Sequence, residues 1–343
     1  MSGQSDKNSV SSLSPTPPDI GGSLKHHTYL ITGGTGSLGT ALTKLLLSQG
    51  HKVRVYARNE HGHERLIQAT EKAHQENLSS LIGAVEDLGR LRRALHGVDY
   101  VIHAAAQKAI PLAEYNPLEC IGTNVQGSAN VVAACMDAGV KRAVFVSTDK
   151  ASSPATLYGG TKFVAERLWL NGNRYSAGQA PHFVAVRYGN VFASQGSVLN
   201  AWKKRAADRE PIEITDPQCT RFHLHLSDAV AFVLSALHHA SPGELWVPKL
   251  PSYRLGDFAH AFRAAFDLHQ QPTISGLRLS EKLHESMISA DESSSLKAED
   301  DTHYTLEPGV IHRKGGFSYT SGSNTHRLGV EALTEEIRTW ASL

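Results

Sequence analysis

Hydrophobic and polar residues follow a regular order from about residue 28 to residue 190. Short apolar runs predict strands at residues 27–32, 52–56, 81–82, 98–103, 142–147 and 182–187. Segments between them predict helices at residues 38–49, 64–76, 87–96, 124–138 and 158–170. Because strands and helices alternate and most strands are continuously apolar, the pattern predicts a doubly wound parallel sheet with helices on both faces.

The alternation of strands and helices ends after Asn190. Helices are predicted at residues 198–208, 226–238 and 255–266, with short extended pieces between them, and residues 293–319 have weak periodicity typical of loops. We therefore expect an α/β protein with a Rossmann-type domain at residues 25–190 and a smaller C-terminal α+β lobe at residues 191–343. Some segments of that lobe are expected to return to the first domain.

Composition narrows the class of protein. Residues 1–24 are rich in Ser, Pro, Gly and Asp, which predicts a disordered tail without the apolar core of a signal peptide. The longest apolar runs fall short of the roughly 18 residues that a membrane span needs. The net charge is +1, so nothing favours nucleic acid or an anionic membrane as a partner. The 3 cysteines form no Cys-x-x-Cys motif, which suits a reducing cytoplasm, and the 19 histidines are scattered, so no metal site is predicted.

A glycine-rich loop joins the first predicted strand to the first predicted helix. Gly33, Gly36 and Gly39 give the Gly-x-x-Gly-x-x-Gly spacing. Such a loop lets the backbone turn tightly and approach a pyrophosphate, which the N–H groups and dipole of the helix N-terminus then favour. The context of strand before and helix after predicts a dinucleotide site.

The end of the second strand bears on the choice of cofactor. NAD enzymes usually place Asp or Glu there for the ribose hydroxyls, whereas this chain has Ala57, Arg58 and Asn59. A cation suits the 2′-phosphate of NADP. The sequence therefore favours NADP over NAD. The alternative is that Arg58 is an ordinary surface residue, and the acidic residue Glu60 lies nearby.

Candidate catalytic residues follow the fifth strand. Tyr158 and Lys162 lie on one face of a helix, where the ammonium is expected to lower the pKa of the phenol and make it a base towards a sugar hydroxyl. Thr148 is placed to bind a substrate hydroxyl, and Asp149 with Lys150 forms an acid/base pair at a strand end. Simple oxidation needs no such second pair. Elimination of water does, because one group takes a carbon-bound proton while another protonates the leaving hydroxyl.

At this point the chain resembles the extended short-chain dehydrogenases/reductases, and among them the inverting UDP-N-acetylglucosamine 4,6-dehydratases of polysaccharide biosynthesis. The resemblance covers nearly all of the chain from residue 28. It lies in residues 103–108, 113–120, 123–124, 147–151, 157–162, 186–191, 196–198, 214–216, 220–222 and 281–285. In the retaining, membrane-bound relatives of this group, methionine stands in place of Tyr158, so the resemblance favours the inverting branch.

The resemblance implies a mechanism and a set of site residues. Tyr158 deprotonates the sugar O4 while NADP takes the C4 hydride, Asp149 and Lys150 serve the loss of water across C5 and C6, and C5 is reprotonated on the opposite face. The implied catalytic residues are Thr148, Asp149, Lys150, Tyr158 and Lys162. The implied cofactor contacts are Gly33, Thr35, Gly36, Ser37, Leu38, Gly39, Arg58, Val85, Ala104, Lys108, Tyr158, Lys162 and Val191. The implied substrate contacts are Lys108, Asn190, Ser197, Thr220, Arg221, Arg278 and Glu281. Relatives of this kind assemble as homo-oligomers.

The chain also departs from the family pattern. Ala84 replaces an aspartate, Leu279-Ser280 replaces Pro-Gly, His223 replaces an aromatic residue, Cys219 a methionine and Asn200 a proline. Most of these changes fall on the substrate side and bear on the identity of the sugar and nucleotide. Three alternatives stay open: a 4-epimerase, a dehydratase that forms a 5,6-ene or differs at C5, and a non-catalytic NADP-binding regulator.

Overall fold

The computed structural model describes residues 26–342. The predicted tail at residues 1–24 lies outside this range. The strands of the large sheet and of three small sheets are β1 Thr28–Thr32, β2 Lys52–Ala57, β3 Leu78–Ile82, β4 Tyr100–His103, β5 Arg142–Val146, β6 His182–Val186, β7 Asn190–Val191, β8 Glu213–Ile214, β9 Thr220–Leu224, β10 Leu245–Pro248, β11 Ser252–Arg254, β12 Thr273–Ile274, β13 Ser286–Ile288, β14 Leu296–Glu299, β15 His303–Leu306 and β16 Tyr319–Thr320 in the described residues. The α-helices are α1 Ser37–Ser48, α2 Glu60–Gln68, α3 Leu88–Leu95, α4 Ile110–Tyr115, α5 Pro117–Ile121, α6 Gly127–Ala138, α7 Leu157–Tyr175, α8 Val198–Ala207, α9 Leu226–His239, α10 Leu255–Phe266 and α11 Val330–Ser342.

The main sheet has nine strands in the described residues, in the order β14-β15-β10-β6-β5-β4-β1-β2-β3. In this sheet β10, β6, β5, β4, β1, β2 and β3 pair in parallel, and β15 and β14 add an antiparallel edge. The chain reverses direction across the sheet between β1 and β4, which is the point where doubly wound sheets bind ligands. The predicted Rossmann-type α/β fold is therefore confirmed.

Two hydrophobic cores hold the fold together. In the larger core, the sheet residues Leu30, Val144 and Phe183 are fully buried, as expected for strands covered on both faces. The smaller core lies between α8, α10 and α11, where Trp202 and Phe262 are almost fully buried. The smaller core anchors the segment that follows residue 190, while β10, β14 and β15 of the same segment join the large sheet.

Several predicted elements differ from the structure. The helix predicted at residues 64–76 is wrong: α2 begins at Glu60 because the Asn59 side chain accepts the Gly62 N–H, and a separate 3₁₀ helix covers Lys72–Asn77. The stretch at residues 293–319 is not all loop, because β14 and β15 pair as a hairpin on the large sheet. The sequence pattern also missed the short helices α4 and α5 and the C-terminal helix α11.

Across residues 26–342, none of the helices combines the length and apolar character that crossing a membrane requires. Cys120, Cys135 and Cys219 are all buried and unpaired, as expected from their number and spacing.

Candidate active site

The glycine loop at the end of β1 forms a narrow cradle. Gly33 has a φ of +67°, and a Cβ atom added there would lie 2.8 Å from the Ala105 backbone. A Cβ at Gly39 would lie 2.4 Å from Gly34 Cα, so α1 packs directly on the loop. These contacts require glycine at both positions, and they leave the loop backbone open to a close approach by a pyrophosphate.

The start of α1 provides the polar side of this cradle. The helix begins at Ser37 with Gly36 as its N-cap, and no side chain of the described residues caps its free N–H groups. Ser37 Oγ accepts the Gln195 N–H at 2.9 Å, and Lys108 Nζ donates to Gln195 O at 3.5 Å. The loop that carries Gln195 thus joins the helix start to Lys108, and the arrangement suits a diphosphate.

Other predicted cofactor residues surround the cradle. Thr35 packs against Gly62 of α2, where an added Cβ would lie 2.7 Å from Thr35 Cβ. The Ala104 N–H donates to Thr32 O at 3.2 Å, which holds the end of β4 beside the loop. Val85 is buried against Gly127, so its side chain belongs to the core.

Arg58 lies at the end of β2 with an exposed side chain. Its Nη1 atom is 3.7 Å from Glu86 Oε1, and Glu86 Oε1 also accepts the Thr123 hydroxyl. An exposed ion pair of this kind contributes about 0–1 kcal/mol, so the guanidinium can exchange Glu86 for a phosphate at little cost.

Asp149 and Lys150 lie at the end of β5 in a buried charge cluster. Asp149 is 1% exposed, and its Oδ1 atom accepts from Thr148 Oγ1 at 2.9 Å and from Lys150 Nζ at 3.1 Å. Its Oδ2 atom is buried and has no hydrogen-bond partner among the described residues. A buried carboxylate oxygen without a partner is costly and is therefore available for a substrate group.

The cluster contains a residue that was not among the predicted site residues. Glu285 is 4% exposed, and its Oε1 atom lies 3.3 Å from Lys150 Nζ. Burial lowers the pKa of Lys150, but the carboxylates of Asp149 and Glu285 outweigh burial and raise that pKa above its ordinary value. Glu285 ends one of the segments on which the family resemblance rests, but its charge lies far from Lys150 in sequence.

Tyr158 lies in the first turn of α7, beside this cluster. Burial raises the pKa of its phenol to about 12, against the opposite effects of the Lys150 ammonium and the Thr148 hydroxyl. The next residue, Gly159, allows the close approach, since an added Cβ would lie 2.3 Å from Lys150 O. Tyr158, Thr148, Asp149 and Lys150 are therefore brought together, and they share the electrostatic environment expected of an acid/base site.

The ammonium of Lys162, which is expected to activate Tyr158, contacts the end of β5. Its Nζ atom donates to Val146 O at 2.7 Å and lies 3.8 Å from the centre of the Phe145 ring. Burial lowers the pKa of its ammonium to about 7. The cation that lowers the pKa of Tyr158 in this structure is Lys150, and the activating role expected of Lys162 from the i, i+4 spacing stays a prediction.

Of the residues expected to bind the substrate diphosphate, Arg221 and Thr220 have partners inside the protein and Arg278 is exposed. Arg221 Nη2 pairs with Glu281 Oε1 at 2.8 Å, and its Nε atom lies 3.9 Å from Glu285 Oε1. Thr220 is 2% exposed, and its hydroxyl contacts His284 Nδ1 and Ser321 Oγ, so its hydrogen-bonding capacity is used inside the protein. The side chain of Arg278 is exposed.

Three further predicted contacts lie on β7 and the loop after it. Asn190 is exposed, and Val191 pairs with Leu224 of β9. Ser197 precedes α8 and accepts from Asn200 Nδ2 at 3.2 Å. These three residues thus belong to the segment that carries Gln195, whose carbonyl accepts from Lys108 Nζ.

Comparison with known proteins identifies the family of this chain. Residues 29–307 match the family described as polysaccharide biosynthesis protein. A protein of Campylobacter jejuni named UDP-N-acetylglucosamine 4,6-dehydratase (inverting) is 41% identical over 332 residues, which cover 90% of this chain and 96% of that protein. A protein of Rickettsia conorii named UDP-glucose 4-epimerase is 36% identical over 286 residues, with 82% of each chain covered.

A solved structure agrees with these matches. The X-ray structure of Pen from Bacillus thuringiensis superposes with a TM-score of 0.87 and 30% sequence identity, covering 93% of this chain and 99% of that chain. The resemblance to the extended short-chain dehydrogenases/reductases, drawn above from residue motifs, is confirmed. On its match over residues 29–307 and its identity to these relatives, the chain belongs to the polysaccharide biosynthesis protein family within the extended short-chain dehydrogenases/reductases.

Proposed function

We propose that this protein is an NADP-dependent UDP-N-acetylglucosamine 4,6-dehydratase that inverts C5. The observation that carries the proposal is the buried cluster of Asp149, Lys150 and Glu285 beside Tyr158. The likeness to the Campylobacter jejuni dehydratase over 90% of the chain supports both the reaction and the substrate.

The residues around the glycine loop fit a nicotinamide dinucleotide. Gly33 has the positive φ and the close backbone contact that such a cradle requires, and the free N–H groups of α1 suit its pyrophosphate. We propose Arg58 as the partner of a 2′-phosphate, which favours NADP over NAD. A cofactor held there would supply the hydride chemistry, from C4 of the sugar and back to C6.

The protein's own residues then supply the proton transfers. Tyr158 takes the proton of the sugar O4, and the Lys150 ammonium stabilises the phenolate that forms, since it is the cation that lowers the pKa of Tyr158. The elimination moves two protons: one is removed from C5, and one is delivered to the leaving C6 hydroxyl. Asp149 and Lys150 are the pair that accepts the first and donates the second. Their atoms lie 3.1 Å apart, so charge created on one group is balanced on the other.

Glu285 is proposed as a positioning residue for Lys150. Its carboxylate approaches the same ammonium as Asp149 does and helps to hold Lys150 in the charged form. Arg221 links Glu285 to Glu281, so the cluster extends towards the residues proposed to bind the nucleotide diphosphate.

A 4-epimerase is the second candidate, because relatives named UDP-glucose 4-epimerase are 35–36% identical over about four fifths of the chain. Epimerisation requires the tyrosine base but no second acid/base pair. The buried Asp149–Lys150 pair with an unpartnered carboxylate oxygen favours elimination. A 5,6-ene product or a retained C5 centre is distinguished from the proposed reaction only by product analysis.

Purified protein incubated with UDP-N-acetylglucosamine and catalytic NADP tests the proposal. The product is expected to lack one water by mass spectrometry and to carry a 4-keto group. Tyr158→Phe is expected to abolish turnover and still bind NADP, whereas Asp149→Asn is expected to block elimination more than C4 oxidation. Equal loss of both steps in Asp149→Asn, or normal turnover in Tyr158→Phe, would refute the assigned roles.

We also propose a homo-oligomer in a reducing cytoplasm. Large apolar side chains on α4 and α5 are exposed, among them Leu112 (59%), Tyr115 (85%) and Leu118 (77%), and such a group is typical of a protein interface. Light scattering of the purified protein is expected to give a mass at least twice that of one chain. Leu118→Glu is expected to shift the mass towards the monomer, and a monomeric wild-type protein would contradict this part of the proposal.

A further inference from the structure

Three side chains with metal-binding atoms meet away from the Asp149 cluster. His223 lies on β9, His225 follows that strand, and Glu336 lies on the C-terminal helix α11. Their nearest ligand atoms all lie within 4.8 Å of one another. Glu336 Oε2 is 2.8 Å from His223 Nε2, and Glu336 Oε1 is 3.3 Å from His225 Nε2.

The geometry of the buried pair suggests that a third atom is involved. The His223 side chain is only 3% exposed. Although 2.8 Å separates His223 Nε2 from Glu336 Oε2, neither atom has a hydrogen-bond partner among the described residues. A buried imidazole nitrogen and a buried carboxylate oxygen are each costly without a partner. A cation that both atoms bind from the same side satisfies both lone pairs at once.

The chemistry of the donors selects the class of cation. Two imidazole nitrogens and one carboxylate are typical ligands for Zn²⁺, whereas Mg²⁺ and Ca²⁺ prefer oxygen ligands throughout. Tetrahedral Zn²⁺ with bonds of roughly 2.0–2.1 Å places its ligands about 3.4 Å apart, which is within the range of separations in this cluster. The His225 side chain is 44% exposed, so water has access to a fourth position.

We propose that His223, His225 and Glu336 form a zinc site that ties α11 to β9. Helix α11 contributes Leu333 and Ile337 to the smaller core, and the metal adds a polar attachment from α11 to β9, the strand that carries Arg221. Because Arg221 pairs with Glu281 and lies beside Glu285, the site stabilises the strand on which the proposed substrate residues depend.

Two variants and a matched control test the site in the full-length, untagged protein. His225→Gln and Glu336→Gln each remove one ligand, while His312→Gln removes a histidine that forms a comparable pair with Glu307 at 3.0 Å elsewhere. After treatment with a chelator and its removal by dialysis, ZnCl₂ is titrated by calorimetry and the melting temperature is recorded with and without ZnCl₂. The His225→Gln protein keeps the buried His223 and Glu336, so it tests the site even where Glu336→Gln does not fold.

The wild-type and His312→Gln proteins are expected to bind one Zn²⁺ per chain and to melt at a higher temperature with zinc. The affinity is expected to fall by at least about 100-fold in His225→Gln, because loss of a ligand exceeds the 10–100-fold effect of outer-shell changes. Failure of the wild-type protein to bind zinc with 1:1 stoichiometry would overturn the site, as would equal affinity in the wild-type and His225→Gln proteins. Neither readout depends on turnover, so the result is independent of the proposed dehydratase activity.

Discussion

Two adjacent glycines in α7 offer a paired test of how the site is assembled. A Cβ atom on Gly159 would lie 2.3 Å from Lys150 O and 3.3 Å from Pro154 Cβ, whereas a Cβ on Gly160 meets no described atom within 4 Å. Both residues have helical backbones, since neither is among the residues with positive φ. The two Gly→Ala variants therefore differ in local space and share their backbone conformation.

The magnitudes follow from that difference. Gly160→Ala is expected to stabilise the fold by about 1 kcal/mol, because alanine is the better helix former. In Gly159→Ala the backbone must move by about 1 Å to relieve the overlap, and such overpacking costs about 1–3 kcal/mol. The free energies of unfolding of the two variants should thus differ by roughly 2–4 kcal/mol.

The same displacement bears on catalysis, because Lys150 O belongs to the residue that faces Asp149 and Glu285. A misplacement of about 1 Å can lower a rate by about 10²-fold, so kcat of Gly159→Ala is expected to fall by that order and kcat of Gly160→Ala to stay near wild type. Urea unfolding and steady-state turnover measure the two quantities. Equal stability and equal turnover in the two variants would refute the packing of α7 on the Lys150 turn.

Three other perturbations test the charges in and around the site. Glu285→Gln removes one of the carboxylates that raise the pKa of Lys150, so the alkaline limb of the activity profile is expected to move to lower pH; an unmoved limb would argue against this coupling. Lys162 has its pKa lowered to about 7 by burial, so the unfolded chain binds more protons above that pH, and stability of the cofactor-free protein is expected to rise between pH 7 and its ordinary pKa. Lys162→Met should remove that rise, as measured by urea unfolding at pH 7 and pH 9. Arg187→Met leaves the buried Glu166 without its partner and is expected to cost about 3–5 kcal/mol, and a variant as stable as wild type would contradict the buried pair.

The sequence predicts the cofactor half of the fold well because its signals are local. The glycine spacing at residues 33–39 and the apolar strands depend on neighbouring residues only, and β1, β5 and β6 lie within a residue or so of their predicted bounds. The edge hairpin of β14 and β15 was missed because its burial comes from pairing with β10, which no local period records.

Contacts between distant residues explain what the motifs did not predict at the site. The i, i+4 spacing places Lys162 on the same helical face as Tyr158, but the Val146 carbonyl competes for its ammonium. Thr220 was expected to face the substrate, and its hydroxyl is used by His284 and Ser321. The effect of Glu285 on Lys150 depends on a three-dimensional charge arrangement that spacing cannot reveal.

The proposed metal site likewise depends on contacts between distant residues. From the sequence, no metal site was predicted, because the histidines form no recognised spacing. His223 and His225 are close in sequence, but Glu336 is more than 100 residues away and meets them only in the folded chain, where α11 packs on α10.

The central claim is that Asp149 and Lys150 convert an oxidoreductase scaffold into a dehydratase, and one measurement tests it most directly. The protein is incubated with UDP-N-acetylglucosamine and NADP in D₂O, and the product is recorded by NMR. The account predicts a 4-keto-6-deoxy sugar with deuterium at C5 and inverted configuration there. A 4-epimer with no 4-keto-6-deoxy sugar would contradict it.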